Sequence, residues 1–243
     1  MTSFGTIYGV GLGPGQLDLM SVRADRLVRG AKHIAFFRKA GRAGHARTLA
    51  GPLLAEGVIE FAMEYPVTTE IPLSDPRYNQ QLSEFYEACC AHIMAIAQDG
   101  EDVIVLCEGD PFFYGSFMHI YNRVKDHCPV EVVPAITGMS AAWTATGAPI
   151  TWGDDVLSVL MGTLDRQTLG TQLAQTNAAV IMKIGQNLPK VRQALQYSGH
   201  YESAYIVEYA AMENQSVALL SDYDQERAPY FSIIIVHGQG RRP

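Results

Sequence analysis

The chain has 243 residues, 48% of them hydrophobic and 18% charged, with a net charge of −7 at pH 7. That length and apolar content allow two modest domains with buried cores and exclude a disordered chain. The acidic balance argues against a nucleic-acid partner, which would call for a basic surface. The four cysteines, Cys89, Cys90, Cys107 and Cys128, form no CxxC, and the seven histidines form no HExxH. The sequence therefore carries no metal-ligand spacing, and its thiols read as reduced and mostly buried in a cytoplasmic protein. Residues 1–8 lack the features of a signal peptide, and no apolar run approaches the roughly 20 residues of a membrane span, so no membrane partner is expected.

In chain order, residues 7–12 read as a buried strand, 21–30 as an amphipathic helix closed by Gly30, and 33–37 as a second strand, together a βαβ unit. Residues 38–51 are glycine-rich and basic; 58–63 is a third strand; 64–78, with Pro66, Pro72 and Pro76, is an irregular connection. A long helix over 78–98 follows, then strand 102–107, helix 116–126, strand 130–133 and helix 139–146. The turn-rich stretch 147–155 sets a boundary between domains 1–150 and 151–243. Beyond it come strand 157–161, helix 167–175, strand 178–183, helix 188–197 and strand 204–208. Segments 217–220 and 231–237 close the second sheet with antiparallel pairing. The expected fold is α/β with two α/β domains.

The run Gly9-Val10-Gly11-Leu12-Gly13-Pro14-Gly15 follows the first strand directly. Glycines there let a ligand approach the backbone, although a tight strand-to-helix turn needs them too. A dinucleotide GxGxxG fails, because Pro14 or Gln16 stands where its last glycine is needed. The second strand ends in Phe36, Phe37 and Arg38, with no carboxylate for a ribose hydroxyl, and no GK[ST] completes a Walker loop. A second loop, Cys107-Glu108-Gly109-Asp110-Pro111-Phe112-Phe113-Tyr114-Gly115-Ser116, follows the strand at 102–107. Ligands of open α/β sheets bind at such carboxyl ends. Asp110 can accept from ribose hydroxyls or from backbone amides, and an Asp-Pro turn leading into a helix accounts for the same residues.

These two loops, with Ser21-Val22-Arg23-Ala24 beyond the first, resemble the tetrapyrrole (corrin/porphyrin) methylase family. Three further segments resemble that family in order: Val133-Pro134-Ala135-Ile136-Thr137, Met182-Lys183-Ile184-Gly185 and Ile206-Val207-Glu208-Tyr209-Ala210. Ala135 stands where the family usually has glycine, and Tyr209 where a small or amide residue is expected. Tyr65-Pro66-Val67-Thr68-Thr69-Glu70, Phe85-Tyr86 and residues 107–118 resemble the members that methylate C-20 of precorrin-2 to precorrin-3A in cobalamin biosynthesis. The resemblance implies a methyltransferase, dimeric by analogy, using S-adenosyl-L-methionine folded in the cleft between its two domains. Carried over residue by residue, Pro14, Gly109, Asp110, Thr137, Gly138, Met182, Lys183 and Ala210 would line the cofactor, with Ser232 and Ile233 completing the wall.

Methyl transfer from a sulfonium is an in-line displacement governed by positioning, an effect worth up to roughly 7–11 kcal/mol. It needs no metal and no covalent nucleophile. Glu108, Tyr114 and Glu208 sit at strand ends where a lost proton could be taken up, and the sequence singles out none of them as a base. The substrate carries many carboxylates, which guanidinium groups bind in a fork geometry. Arg38, Arg42 and Arg47, with Lys39 and His45, crowd one loop and are substrate-binding candidates, as is Tyr114; a solvated charged loop gives the same pattern. Action at another ring carbon, a nicotinamide-dependent oxidoreductase and a non-catalytic binding module are the alternatives.

Overall fold

The computed structural model describes residues 4–67 and 75–241. It divides into two compact units, Met1–Thr137 and Gly138–Pro243. The sequence reading sets the boundary thirteen residues later, at 150/151. The difference lies in one helix, Gly138–Ala145, which packs within the second unit.

The first unit is a five-stranded sheet in the order β3-β2-β4-β1-β5, every pair parallel. The strands are β1 (Ile7–Gly11), β2 (His33–Lys39), β3 (Ile59–Tyr65), β4 (Val103–Cys107) and β5 (Val130–Val133). Helices α1 (Val22–Arg29), α2 (His45–Ala50), α3 (Pro76–Gln98) and α4 (Phe117–Val124) cover it. All five residues of β4 are buried, because both faces of the sheet are covered. Val103, Val105 and Cys107 pack with Cys89, Ile93, Phe117 and Ile120 of α3 and α4. Ile104 and Leu106, pointing the other way, pack with Ala24, Val28, Ala46 and Ala50 of α1 and α2. Local chemistry starts the helices: Ser21 accepts from the Ala24 amide at 3.1 Å, and Asp75 accepts from the Arg77 amide at 2.9 Å with Pro76 at the first helical position.

This arrangement places the first unit's site. β1 leaves toward α1 on one face, whereas its neighbour β4 leaves toward α4 on the other. Adjacent parallel strands whose connections depart to opposite faces open a crevice at their carboxyl ends. Both glycine-containing loops of the sequence begin there.

The second unit begins with α5 (Gly138–Ala145) and holds a mixed sheet in the order β6-β7-β10-β8-β9. Its strands are β6 (Leu157–Met161), β7 (Ala178–Met182), β8 (Ala204–Glu208), β9 (Ser216–Leu219) and β10 (Ser232–Val236). Only β6 and β7 pair in parallel; β10 runs antiparallel between β7 and β8, and β9 antiparallel to β8. Helices α6 (Arg166–Ala174) and α7 (Leu188–Ser198) bury Leu169, Leu173, Leu188 and Leu195 on one face. Ala142 of α5 packs with Val180, Val207 and Ile235 on the other. Among the described residues no helix is long and apolar enough to cross a membrane.

Candidate functional site

The glycines of the first loop do different jobs. A Cβ on Gly9 would stand 2.2 Å from the Phe117 ring, and one on Gly11 would stand 2.6 Å from the Ala135 Cβ and 2.7 Å from the Gly109 carbonyl oxygen. Both are required by close packing inside β1. Gly13 and Gly15 instead take positive φ, 80° and 143°. The two loops are tied directly: the Leu12 amide donates to the Cys107 carbonyl at 3.0 Å and the Gly109 amide to the Gly13 carbonyl at 3.0 Å. Gly109 has φ 63°, and a Cβ there would meet nothing within 4 Å, so its backbone lies open to an approaching group. Pro14, between the two left-handed glycines, is buried.

Asp110 joins three segments. One carboxylate oxygen accepts from the Phe112 amide at 2.9 Å, the other from the Ala135 amide in the β5–α5 loop at 2.9 Å. Of the two partners the sequence suggests for it, backbone amides and ribose hydroxyls, the amides are the ones seen; each oxygen keeps a further lone pair for a ligand. Thr137 ends the loop whose Ala135 is held in this way, two residues on. Beyond Asp110, Tyr114 has φ 55° and is 47% exposed, and Phe112 and Ile136 beside these loops are also exposed.

The second unit offers matching loops. Met182 ends β7; Lys183 follows with φ 54°. After β8, Tyr209 (φ 51°) and Ala211 (φ 59°) flank Ala210. Ser232 begins β10 opposite Glu208; it is 3% exposed and its hydroxyl has no partner among the described residues, although buried hydroxyls nearly always find one. Ile233 faces the start of α5, where a Cβ on Gly138 would lie 3.6 Å from the Ile233 Cδ1. Tyr114, Lys183, Tyr209 and Ala211 are the non-glycine residues with positive φ among the described residues. Each stands in a loop after a strand end that carries an expected cofactor segment. Such backbone costs of order 1–3 kcal/mol per residue and concentrates at functional sites.

Apart from Ser232 and Ile233, the residues of this geometry fall within a match, over residues 6–222, to the family model of tetrapyrrole (corrin/porphyrin) methylases.

The chain belongs to the tetrapyrrole (corrin/porphyrin) methylases.

It is therefore a methyltransferase, and the nicotinamide-dependent and non-catalytic readings fall away. Along the sequence the methylase is 46% identical to a precorrin-2 C(20)-methyltransferase of Sinorhizobium sp, over 98% of each chain. It is 39% identical, over its whole length, to 48% of the cobalamin biosynthesis protein CobIJ of Mycobacterium bovis. In structure it resembles the cobalt precorrin-4 methyltransferase CbiF (TM-score 0.73, 19% identity, 96% of this chain and 94% of that one). It also resembles the uroporphyrin-III C-methyl transferase of Thermus thermophilus complexed with S-adenosyl homocysteine (TM-score 0.65, 20% identity, 96% and 92%). At those identities the likeness shows the fold.

Within the methylase, the structure gathers Pro14, Gly109, Asp110 and Thr137 around the carboxyl ends of β1, β4 and β5. Met182, Lys183, Ala210 and Ser232 lie where β7 and β8 end and β10 begins. It does not gather the arginines as free groups. Arg38 is paired with its cross-strand neighbour Glu64 at 2.6 Å, and Arg47 makes a two-pronged ion pair with Glu60, at 2.6 and 2.7 Å. The Arg47 contact holds the Glu60 carboxyl below its ordinary range. Arg42 is exposed. Glu108 accepts from the Ala46 amide; the residue is exposed as a whole, yet its carboxyl sits against α2, where desolvation raises its pKa against the pull of His45 and that amide. Glu208 accepts from Tyr223 at 2.5 Å and from Ser216 at 3.1 Å. Both carboxylates thus have structural partners.

Sequence reasoning missed a cluster of hydroxyls beneath the β4 loop. Tyr65, at the end of β3, hydrogen-bonds Ser116, and both bond Tyr86 of α3. Burial raises the Tyr86 pKa against those two bonds. Tyr65 stacks on Phe37 at 5.5 Å and lies 5.3 Å from Phe85. Tyr65, Phe85-Tyr86 and Ser116, which lie far apart in the sequence, form one contact group. Thr68, Thr69 and Glu70 lie outside the described residues.

Proposed function

We propose that this methylase transfers one methyl group from S-adenosylmethionine to C-20 of precorrin-2, giving precorrin-3A in cobalamin biosynthesis. The observation that carries this reading is the full-length likeness to the Sinorhizobium enzyme of that name. The loops support the donor. Gly109 leaves its backbone open, Ser232 presents a buried hydroxyl lacking a partner among the described residues, and left-handed residues shape the loops at 114, 183, 209 and 211. S-adenosylmethionine supplies an electrophilic methyl group. Pro14, Gly109, Asp110, Thr137 and Gly138, with Met182, Lys183, Ala210, Ser232 and Ile233, hold it in this reading.

The chain's own contribution is placement. Asp110 fixes the loops after β4 and β5 relative to one another, and the hydroxyls of Tyr65, Tyr86 and Ser116 support the start of α4. Holding donor and acceptor carbon in line removes orientational cost from the barrier. Arg42 and Tyr114, both exposed, meet the substrate's periphery; Arg38 and Arg47 contribute only by leaving Glu64 and Glu60. The reading also takes the enzyme as a cytoplasmic homodimer, the compartment from its free cysteines and the assembly by family analogy. Mass spectrometry of a reaction with precorrin-2 and S-adenosylmethionine tests it: the expected product is a tetrapyrrole heavier by one methylene unit, with S-adenosylhomocysteine released. Tight S-adenosylhomocysteine binding without that product overturns the substrate assignment.

A further inference from the structure

The turn between β8 and β9 holds its shape against the preference of its residues. Tyr209 and Ala211 are both left-handed, where a Cβ crowds the following carbonyl. Such a turn persists only when its surroundings over-determine it. Backbone contacts contribute: the Tyr209 amide donates to the Phe231 carbonyl at 2.7 Å, and the Ala211 amide donates to the Gln215 side chain at 2.8 Å. The Met212 amide also donates to the Tyr209 carbonyl at 2.9 Å. A side-chain anchor comes from Glu208. It is the last residue of β8 and pairs in register with Ser216, the first of β9. Ser216 donates to one carboxylate oxygen and the Tyr223 hydroxyl to the other, tying the end of β8 to the start of β9 and to the segment that follows β9. Tyr223 is itself fixed, because Arg192 of α7 donates to its carbonyl and lies 5.9 Å from its ring centre. Burial, followed by the Glu208 contact, pushes the Tyr223 phenol up to about 12, so it is a hydrogen-bond donor throughout the physiological range.

We propose that Glu208 is a positioning residue, its carboxylate gripped by Tyr223 and Ser216 so that the turn 209–211 presents Ala210 in the form that receives the methyl donor. The inference rests on the reading above in which Ala210 contacts that donor. It assigns Glu208 a holding role and no proton transfer.

Calorimetric titration of the full chain with S-adenosylhomocysteine tests it, using wild type, Glu208→Gln and Tyr223→Phe. Both variants are expected to bind about tenfold more weakly, a loss of about 1.4 kcal/mol, while KM for precorrin-2 stays within about twofold. Tyr223→Phe keeps the ring over which Arg192 lies, so it serves where Glu208→Gln folds poorly. Adding Ala211→Gly to either variant is expected to regain most of the affinity, because glycine accepts positive φ without an anchor. A merely structural loss would lower Tm and would not be reversed in affinity by that glycine. Equal affinity in wild type and both variants overturns the inference, as does weakened affinity that Ala211→Gly leaves unchanged. No binding by wild type overturns the donor reading itself and this inference with it.

Discussion

At the residue scale, the site depends on positions where a single atom group decides the packing. Gly11 lies where the loops after β1, β4 and β5 converge, with Ala135, Gly109 and Pro111 all within 3 Å of where its Cβ would stand. Gly11→Ala should cost about 1–3 kcal/mol by overpacking, lowering Tm by roughly 2–4 °C for each kcal/mol. Adding Ala135→Gly should recover part of that loss, since it removes one of the three obstacles. Additive single and double effects in thermal melts would show that the two groups do not meet. Asp110→Ala strands the part-buried Ala135 amide, at up to about 1–3 kcal/mol for a group left unpaired away from water, and leaves the exposed Phe112 amide to water. It should lower Tm and weaken S-adenosylhomocysteine binding together, whereas Asp110→Asn, which keeps one acceptor oxygen, should lose less of both. An unchanged dissociation constant for Asp110→Ala in folded protein would remove Asp110 from the donor site. The glycines, Asp110 and the strand-end positions were legible because they are local. The roles of Gly9 and Gly11 were not, since they answer to Phe117 and Ala135, more than a hundred positions along the chain.

At the element scale, α2 shows where sequence reading stops. Its six residues sit between Gly44 and Gly51 in a stretch that reads as a glycine-rich, basic loop. Six residues are too few to show a helical period, and the burial of Ala46 and Ala50 depends on the sheet beneath. The same long-range pairing extends β2 through Lys39 and brings Arg38 beside Glu64, and α2 is pinned to the edge strand by Arg47–Glu60. Both side chains of that pin are about one-third exposed, so a double-mutant cycle should give roughly 0.2–1 kcal/mol of coupling at pH 7. Glu60 is depressed in the folded state by Arg47. Its contribution is therefore full above its ordinary value of about 4.5 and lost as pH falls through the lower, folded-state value. A coupling that is flat across that acid range would contradict the pin. For the substrate, Arg42→Ala should raise KM for precorrin-2, and the wild-type KM should rise with ionic strength, while Arg47→Ala acts mainly through stability. Equal KM effects of the two substitutions, with no loss of stability in Arg47→Ala, would return Arg47 to the substrate.

At the scale of the whole molecule, the alternation of apolar runs and amphipathic segments anticipates, among the described residues, the ten strands and every α-helix except α2; most strands are buried enough to read as apolar runs, and the more exposed β3 and β9 still carry apolar residues in their sequence. The order of the strands was not readable, and it is the order that sets β1 beside β4 and so creates the crevice where the two glycine loops meet. The hydroxyl group of Tyr65, Tyr86 and Ser116 depends on the same topology, since its members come from β3, α3 and the start of α4. What the fold holds in place is a reaction governed by alignment, and the position of the new bond reports that alignment most directly. Precorrin-2 is incubated with the enzyme and methyl-labelled S-adenosylmethionine, and the label is located by carbon NMR. The account predicts a single labelled methyl group on C-20; label on any other ring carbon, or on none, would contradict it.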